Sequence, residues 1–308
     1  MLFSKNKNLL GTLQLMLAAF IWGSAFVAQS AGMDYVGPFT FASVRFLLGG
    51  VILLPLIVIR NILAVKRPAY RPGVKTDFKK LLIGGILCGI LLCVASNLQQ
   101  IGIKYTTVGK AGFITTLYVI LVPICGLFFK DRPSLNVWFS VIIAVIGLYL
   151  LCMSGSFTLS FGDTLVLLCA IVYTAHIIAV GKISPDLDPI QLSCVQFLTV
   201  GIITAVPAFI FESPDIHNIM KAWLPIVYAG VLSSGVAFTL QVVAQRHTDT
   251  TIAAITMSFE SVFAVLSGAV VLEQIPSLRE TIGCIIMFVA IILAQLPPIK
   301  IKEIFKRR

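Results

Sequence analysis

Apolar residues run through this chain in ten long blocks separated by short polar intervals: 9–29, 39–59, 81–103, 108–129, 136–153, 162–181, 189–211, 222–245, 250–272 and 278–297. Each block is about 20 residues long, the length an α-helix needs to cross a hydrocarbon core of roughly 30 Å at about 1.5 Å per residue. The pattern therefore predicts an all-α integral membrane protein of ten transmembrane helices.

Length alone, 308 residues, would permit one large or two medium soluble domains. Composition argues against them, because 58% of the residues are hydrophobic and only 12% charged, with a mean hydropathy of +1.00. Too few polar side chains remain to clothe soluble domains. The net charge of +10 raises nucleic acid as a partner, but no soluble segment carries a basic face interleaved with aromatics, and none is expected. Charge instead orients the chain. With the N-terminus cytoplasmic, the inner loops and tails collect all but five of the 23 Lys and Arg residues; Lys104, Lys110, Lys221 and Arg279 fall outside and Arg45 falls inside a span. By the positive-inside rule both termini are cytoplasmic, in a multi-pass protein of the cell membrane.

The chain also repeats itself. A shift of 151 positions lays LAAFIWGSAFV (17–27) on LCAIVYTAHII (168–178), pairing Trp22 with Tyr173, Pro38 with Pro189, Arg45 with Gln196 and Phe46 with Phe197. A shift of 143 pairs Thr107 with Thr250 and Pro133-Ser134 with Pro276-Ser277. The difference reflects a longer loop in the first copy, roughly residues 60–80, holding PAYRPGVK. The predicted units are a first five-helix repeat, 9–153, a second, 162–297, and a basic cytoplasmic tail, 298–308. Five crossings is an odd number, so the second copy enters from the opposite side and the repeats are inverted. Such repeats can expose a midplane site to one side and then the other. The repeat also argues against reading the first block, with its Lys5/Lys7 flank and AFVAQSAG stretch, as a cleaved signal peptide.

AAFIWGSAFV in the first helix, AGFITTLYVILVP in the fourth, GDTLVLLCAIVYTAH opening the second half and the Glu273-Gln274-Ile275-Pro276-Ser277 turn together resemble the EamA-type branch of the drug/metabolite transporter superfamily, from about Leu9 to Leu296. The resemblance implies a ten-helix secondary transporter of small metabolites, often amino acids or related compounds, frequently moved outward. Two departures stand out. Glu260-Ser261 occurs where many relatives would have Glu-Pro, which removes a proline-based reason for a kink in the ninth helix. Lys130-Asp131 in the first half faces Leu272-Glu273 in the second.

A charge near the bilayer centre costs roughly 2.5–3.5 kcal/mol on insertion scales, so one that is present usually faces a partner or a watery cavity. Glu260, mid-way along the ninth helix, is a candidate to bind a substrate ammonium or carry a proton; the alternative is a structural carboxylate bonded by Ser258 or Ser261. His176 in the sixth helix is a natural proton-responsive group, set against a neutral core histidine bonded to a backbone carbonyl. Arg45 offers a carboxylate fork, but lies only about 9 Å from the outer helix end, where snorkelling or a structural ion pair competes. Lys110 is nearer still to water. Trp22 and Tyr118 could stack on a cationic or aromatic solute, or simply fill space. Asn97, Gln99, Gln100, Thr115, Thr116, Gln196, Ser233, Ser234 and Gln241 supply a polar lining or bonds between helices. Gly85 with Gly89, and Gly230 with Ser234, read as close-packing faces.

The seven cysteines all fall in apolar spans without metal-ligand spacing and read as small buried groups. No nucleotide-binding loop is present, and neither cofactor nor metal is expected. The expectation is a non-enzymatic secondary transporter whose cavity is drawn from Glu260, His176, Arg45, Trp22, Asn97, Gln99, Lys110, Tyr118, Gln196 and Gln241. Its partners are a small-molecule substrate, protons as the candidate coupling ion, and the lipid bilayer. Competing readings are a receptor or assembly protein that binds without flux, and an intramembrane lipid enzyme, which would need a Ser-His pair or acidic cluster that the sequence does not offer.

Overall fold

A computed structural model describes residues 2–66, 77–106, 108–129, 133–152, 160–271 and 277–296. Among them the only regular structure is helical. The helices are α1 (Leu2–Gly32), α2 (Pro38–Lys66), α3 (Phe78–Tyr105), α4 (Val108–Thr115), α5 (Tyr118–Phe128), α6 (Leu135–Cys152), α7 (Phe161–Ile183), α8 (Pro189–Phe211), α9 (Ile216–Lys221), α10 (Trp223–Val227), α11 (Thr239–Gln245), α12 (Thr250–Met257), α13 (Glu260–Val271) and α14 (Leu278–Gln295); a π-helical stretch, Tyr228–Phe238, joins α10 to α11. Nine of the helical spans among the described residues are long and apolar enough to cross a membrane, and Leu135–Leu150 is a shorter apolar helix. The Glu273 turn, Lys130-Asp131, most of the 60–80 loop and the tail from 298 lie outside the described residues.

Backbone groups at a helix end have no intrahelical partner and find none in lipid, so the chain places acceptors there. Asp77, Asp188, Asp215 and Asp249 cap α3, α8, α9 and α12, while Ser160/Asp163 and Ser277/Glu280 form capping boxes on α7 and α14. The start of α2 is capped from elsewhere: Glu212, just past α8, accepts from Phe39 N at 2.8 Å and from Thr40 N and Oγ1 at 2.7 Å. At the far end of the same helix pair Arg60 is ion-paired to Asp188. The two helices are therefore antiparallel and tied at both ends.

Similar contacts assign many of the helix termini to one of two ends of the bundle. The first end gathers Arg60 and Asp188, Gly84 against Ile183 and Leu187, Gly11 against Thr248, Gly181 against Thr250, and Asn136 donating to Leu296 O at 2.9 Å. The second end gathers Glu212 under Gly37, Thr106 and Lys110 on Asp163, and Gln100 on Gln29. Helix α1 begins at the first end and α7 at the second.

Packing follows pairs. Helix α2 lies on α8 and α6 on α14; α3 packs on α7 and α8, and the π-helical stretch packs on α1 and α2. Small residues permit these approaches: Gly85 and Gly89 sit against Val195 and Thr199 of α8, and Gly230 against Leu48 and the Arg45 carbonyl. Large apolar side chains such as Phe209, Ile202 and Val270 face outward, as lipid-facing positions should.

Two spans are interrupted. The chain tightens at Thr116-Leu117, where Leu117 N, Val119 N and Ile120 N reach back three residues rather than four, and again at Ser258-Phe259, where Phe259 N and Ser261 N do the same. No proline sits at either turn. Hydroxyl back-bonding accompanies both turns: Thr116 Oγ1 donates to Gly112 O and Phe113 O at 2.9 Å, and Ser258 Oγ to Ile255 O at 2.8 Å. The ninth span is thus interrupted without a proline at the turn. The interruptions also refine the repeat register: α4 and α12, and then α5 and α13, start 142 positions apart, while α6 and α14 start 143 apart, in line with the Pro133-Ser134 and Pro276-Ser277 pairing.

Candidate functional site

Between the two interrupted spans, α1, α2, α3, α7 and the π-helical stretch lies a cavity of about 480 Å³. Trp22, Phe26, Gln29, Arg45, Gln99, Thr115 and Tyr118 line it from the first half of the chain, and Tyr173, Ile177, Ser233, Phe238, Gln241, Met257 and Glu260 from the second. Trp22 and Tyr173, like Phe26 and Ile177, are 151 positions apart; Gln99 and Gln241, Thr115 and Met257, and Tyr118 and Glu260 are 142 apart. Ten of the fourteen lining residues thus fall in pairs related by the repeat shifts.

Each lining group is placed by local structure. Glu260 opens α13 immediately after the tight turn and is 6% exposed; its Oε1 accepts from Tyr118 OH, which opens α5 after the other turn, at 3.1 Å. The serines beside Glu260 are engaged elsewhere: Ser258 on Ile255 O, and Ser261 on Thr116 Oγ1 at 3.2 Å. That last bond joins the two turns directly. Trp22 Nε1 donates to Ser233 O in the π-helical stretch at 3.3 Å, and its ring lies 4.7 Å from that of Phe238. Gln99 Nε2 donates to Thr115 Oγ1 at 3.1 Å. Toward the first end, Gln241 Nε2 donates to Gln245 Oε1 and Gln245 Nε2 to Ile177 O, both at 3.1 Å, which floors the cavity with amides.

Arg45 is 2% exposed, so it does not snorkel, and no carboxylate of the described residues lies within 4 Å of its guanidinium. Its Cζ stands 4.5 Å from the centroid of the Phe46 ring, and its Nε has no hydrogen-bond partner. Two acceptor atoms on the same walls, Gln29 Oε1 and Gln241 Oε1, are also buried without a partner. Buried polar groups are normally satisfied, so this cavity holds both donor and acceptor capacity for an occupant.

Six of the ten residues singled out in the sequence meet here: Glu260, Arg45, Trp22, Gln99, Tyr118 and Gln241. The other four lie elsewhere. His176 and Gln196 are fully buried behind the wall, bonded to each other at 3.2 Å between Nε2 and Oε1. Asn97 donates to Thr204 Oγ1 and Cys93 O at 2.8 Å, bridging α3 to α8. Lys110 pairs with Asp163 at 3.6 Å at the second end. Gln29 and Tyr173 line the cavity without having been singled out for it, although Gln29 continues the i, i+4, i+7 stripe of Trp22 and Phe26, and Tyr173 is the repeat partner of Trp22. Among the described residues no group of three or more His, Cys, Asp or Glu side chains could hold a metal ion.

A family profile described as the EamA-like transporter family matches residues 9–153 and 160–296. An uncharacterized transporter of Archaeoglobus fulgidus is 31% identical over 94% of this chain and 87% of its own. The uncharacterized transporter YoaV of Bacillus subtilis is 23% identical, over 91% of this chain and 94% of its own. The uncharacterized inner membrane transporter YedA of Escherichia coli is 22% identical, over 90% and 87%. A crystal structure superposes with a TM-score of 0.74 at 18% identity, covering 92% of this chain and 96% of the other, a likeness of fold.

Proposed function

The chain belongs to the EamA-like transporter family, and from that premise we propose that it is a secondary transporter, ten helices in two inverted five-helix repeats, exporting small metabolites of the amino-acid class by alternating access. That it is a multi-pass membrane transporter and not an enzyme follows from the family itself. The proposal concerns the finer points: both termini in the cytoplasm, the first end of the bundle facing inward, and a gradient rather than ATP as the energy source.

One observation carries it. The cavity is lined by seven residues from each of the two matched segments, five from each at paired positions, and lies beside the two tight turns. Inverted arrangement is supported by α1 and α7 starting at opposite ends, and by packing partners that exchange when the halves are exchanged, such as α3 on α7 and the π-helical stretch on α1. If one half rocks on the other, the shared cavity is the volume whose access changes. The placement of Arg60, Lys182 and Arg246 at the first end agrees with an inward-facing first end.

The test is counterflow in proteoliposomes, loading one unlabelled solute at a time from a broad panel of amino acids and metabolites, with and without a pH gradient. Exchange of at least one amino-acid-like solute is expected. Folded protein that moves nothing across the panel would refute the transport reading.

A further inference from the structure

Resting on that transport reading, we infer that the cavity selects zwitterions, with Arg45 holding the carboxylate and Glu260 the ammonium of one bound molecule. The argument begins with what the cavity leaves unpaired. A guanidinium and a carboxyl group, both more than nine-tenths buried, line one volume of about 480 Å³, yet they form no ion pair with each other within 4 Å. Two opposite charges buried in lipid-embedded protein would be expected to neutralise one another, since each alone is costly. Here they are held apart by their helices. Arg45 is fixed by the close approach of α2 to the π-helical stretch, where a Cβ on Gly230 would fall 3.0 Å from Arg45 O. Glu260 is fixed by the turn before α13 and by Tyr118.

The open hydrogen-bonding capacity has the matching polarity. Arg45 Nε is a buried donor without an acceptor, suited to one branch of a two-point carboxylate contact. Glu260 has one oxygen on Tyr118 and is the carboxyl group on the cavity wall, while Gln29 and Gln241 each offer an unpartnered acceptor that can share an ammonium's three donors. An anion alone would meet Arg45 but also face Glu260. A cation alone would meet Glu260 but leave Arg45 uncompensated. A molecule bearing both charges satisfies the two together, and the aromatic side chains of Trp22 and Phe238 on the same wall offer an apolar surface beside it.

The experiment measures binding by purified wild-type protein in detergent of three matched probes, L-phenylalanine, phenethylamine and 3-phenylpropionate, together with the L-leucine series. The amino acid should bind about tenfold or more tightly than the amine or the acid, because each loses one charged hydrogen-bonded contact. Arg45→Gln should lose that advantage over the amine while keeping discrimination against the acid, and Glu260→Gln should do the reverse. Arg45→Lys should restore part of the loss. Comparable binding of all three probes, equal losses for all three in either variant, or no binding of any zwitterion would overturn the inference. The wild-type comparison decides the matter even if a variant fails to fold. Counterflow of other solutes with no zwitterion bound would leave the transporter standing and remove only this assignment.

Discussion

Arg45 and Gln196 occupy the same place in the two halves of the chain, 151 positions apart, and do opposite things. Arg45 faces the cavity with its Nε unpartnered, whereas Gln196 turns away and bonds His176. Tyr118 and Glu260 make the complementary contrast, each opening a half-helix after a tight turn, one a phenol and the other a carboxyl group, joined by a hydrogen bond of 3.1 Å. Shared backbone geometry supplies two equivalent walls. The side chains make those walls unequal, placing a positive group on the first half and an acidic one on the second.

The comparison can be broken most forcefully through the backbone that sets it. A Cβ on Gly23 would fall 2.5 Å from Glu260 O and 2.7 Å from Ala264 N, main-chain atoms that cannot rotate aside. Gly23→Leu should therefore separate α1 from α13, at a cost of at least about 1–3 kcal/mol. The expected result is a large fall in monodisperse protein and in Tm, with transport lost. Next comes forced symmetry. Gln196→Arg would bury a second cation beside His176, at roughly 2.5–3.5 kcal/mol on insertion scales, and a lowered Tm is expected; an unchanged Tm would mean that this wall is wetter than its burial implies.

Smaller changes sharpen the contrast. Tyr118→Phe removes the donor to Glu260 and leaves a buried carboxyl oxygen short of a partner, a loss of about 1–3 kcal/mol. Exchange rates should fall several-fold while the fold survives, as read by Tm. The smallest effect is expected behind the wall. Polar contacts between membrane helices average about 0.6 kcal/mol, so His176→Gln should change exchange by no more than about threefold. A complete loss would put His176 into the transport path.

That the chain is a helical, multi-span membrane protein was legible because lipid exposure demands long apolar blocks; among the described residues nine helical spans are long enough to cross, and Leu135–Leu150 is a shorter apolar helix. The interruptions were not. Hydroxyls of Thr116 and Ser258 bond back to their own helices at the turns, but such residues elsewhere in the chain, such as Thr174 on Ala170 O, do so without breaking the helix, so the residue type alone does not mark the turns. Site residues divide for a different reason. Depth along a helix can be counted from sequence, but facing cannot be fixed without knowing the neighbours. Asn97 and Gln99 are two positions apart, hence about 200° around the helix, and only Gln99 reaches the cavity while Asn97 reaches α8. Equivalent positions mislead in the same way: the repeat identifies Tyr173 from Trp22 correctly but offers Gln196 for Arg45.

The central claim, that two halves alternately open one shared cavity, meets its most direct test in paired accessibility. Single cysteines replace Gln29, toward the second end, or Gln245, at the first, in protein whose native cysteines have been removed, and their reaction with a water-soluble maleimide is timed with and without a transported solute. Reactivity at the two positions should change in opposite senses when the solute is added. Changes in the same sense, or none with a solute that demonstrably exchanges, would contradict the account.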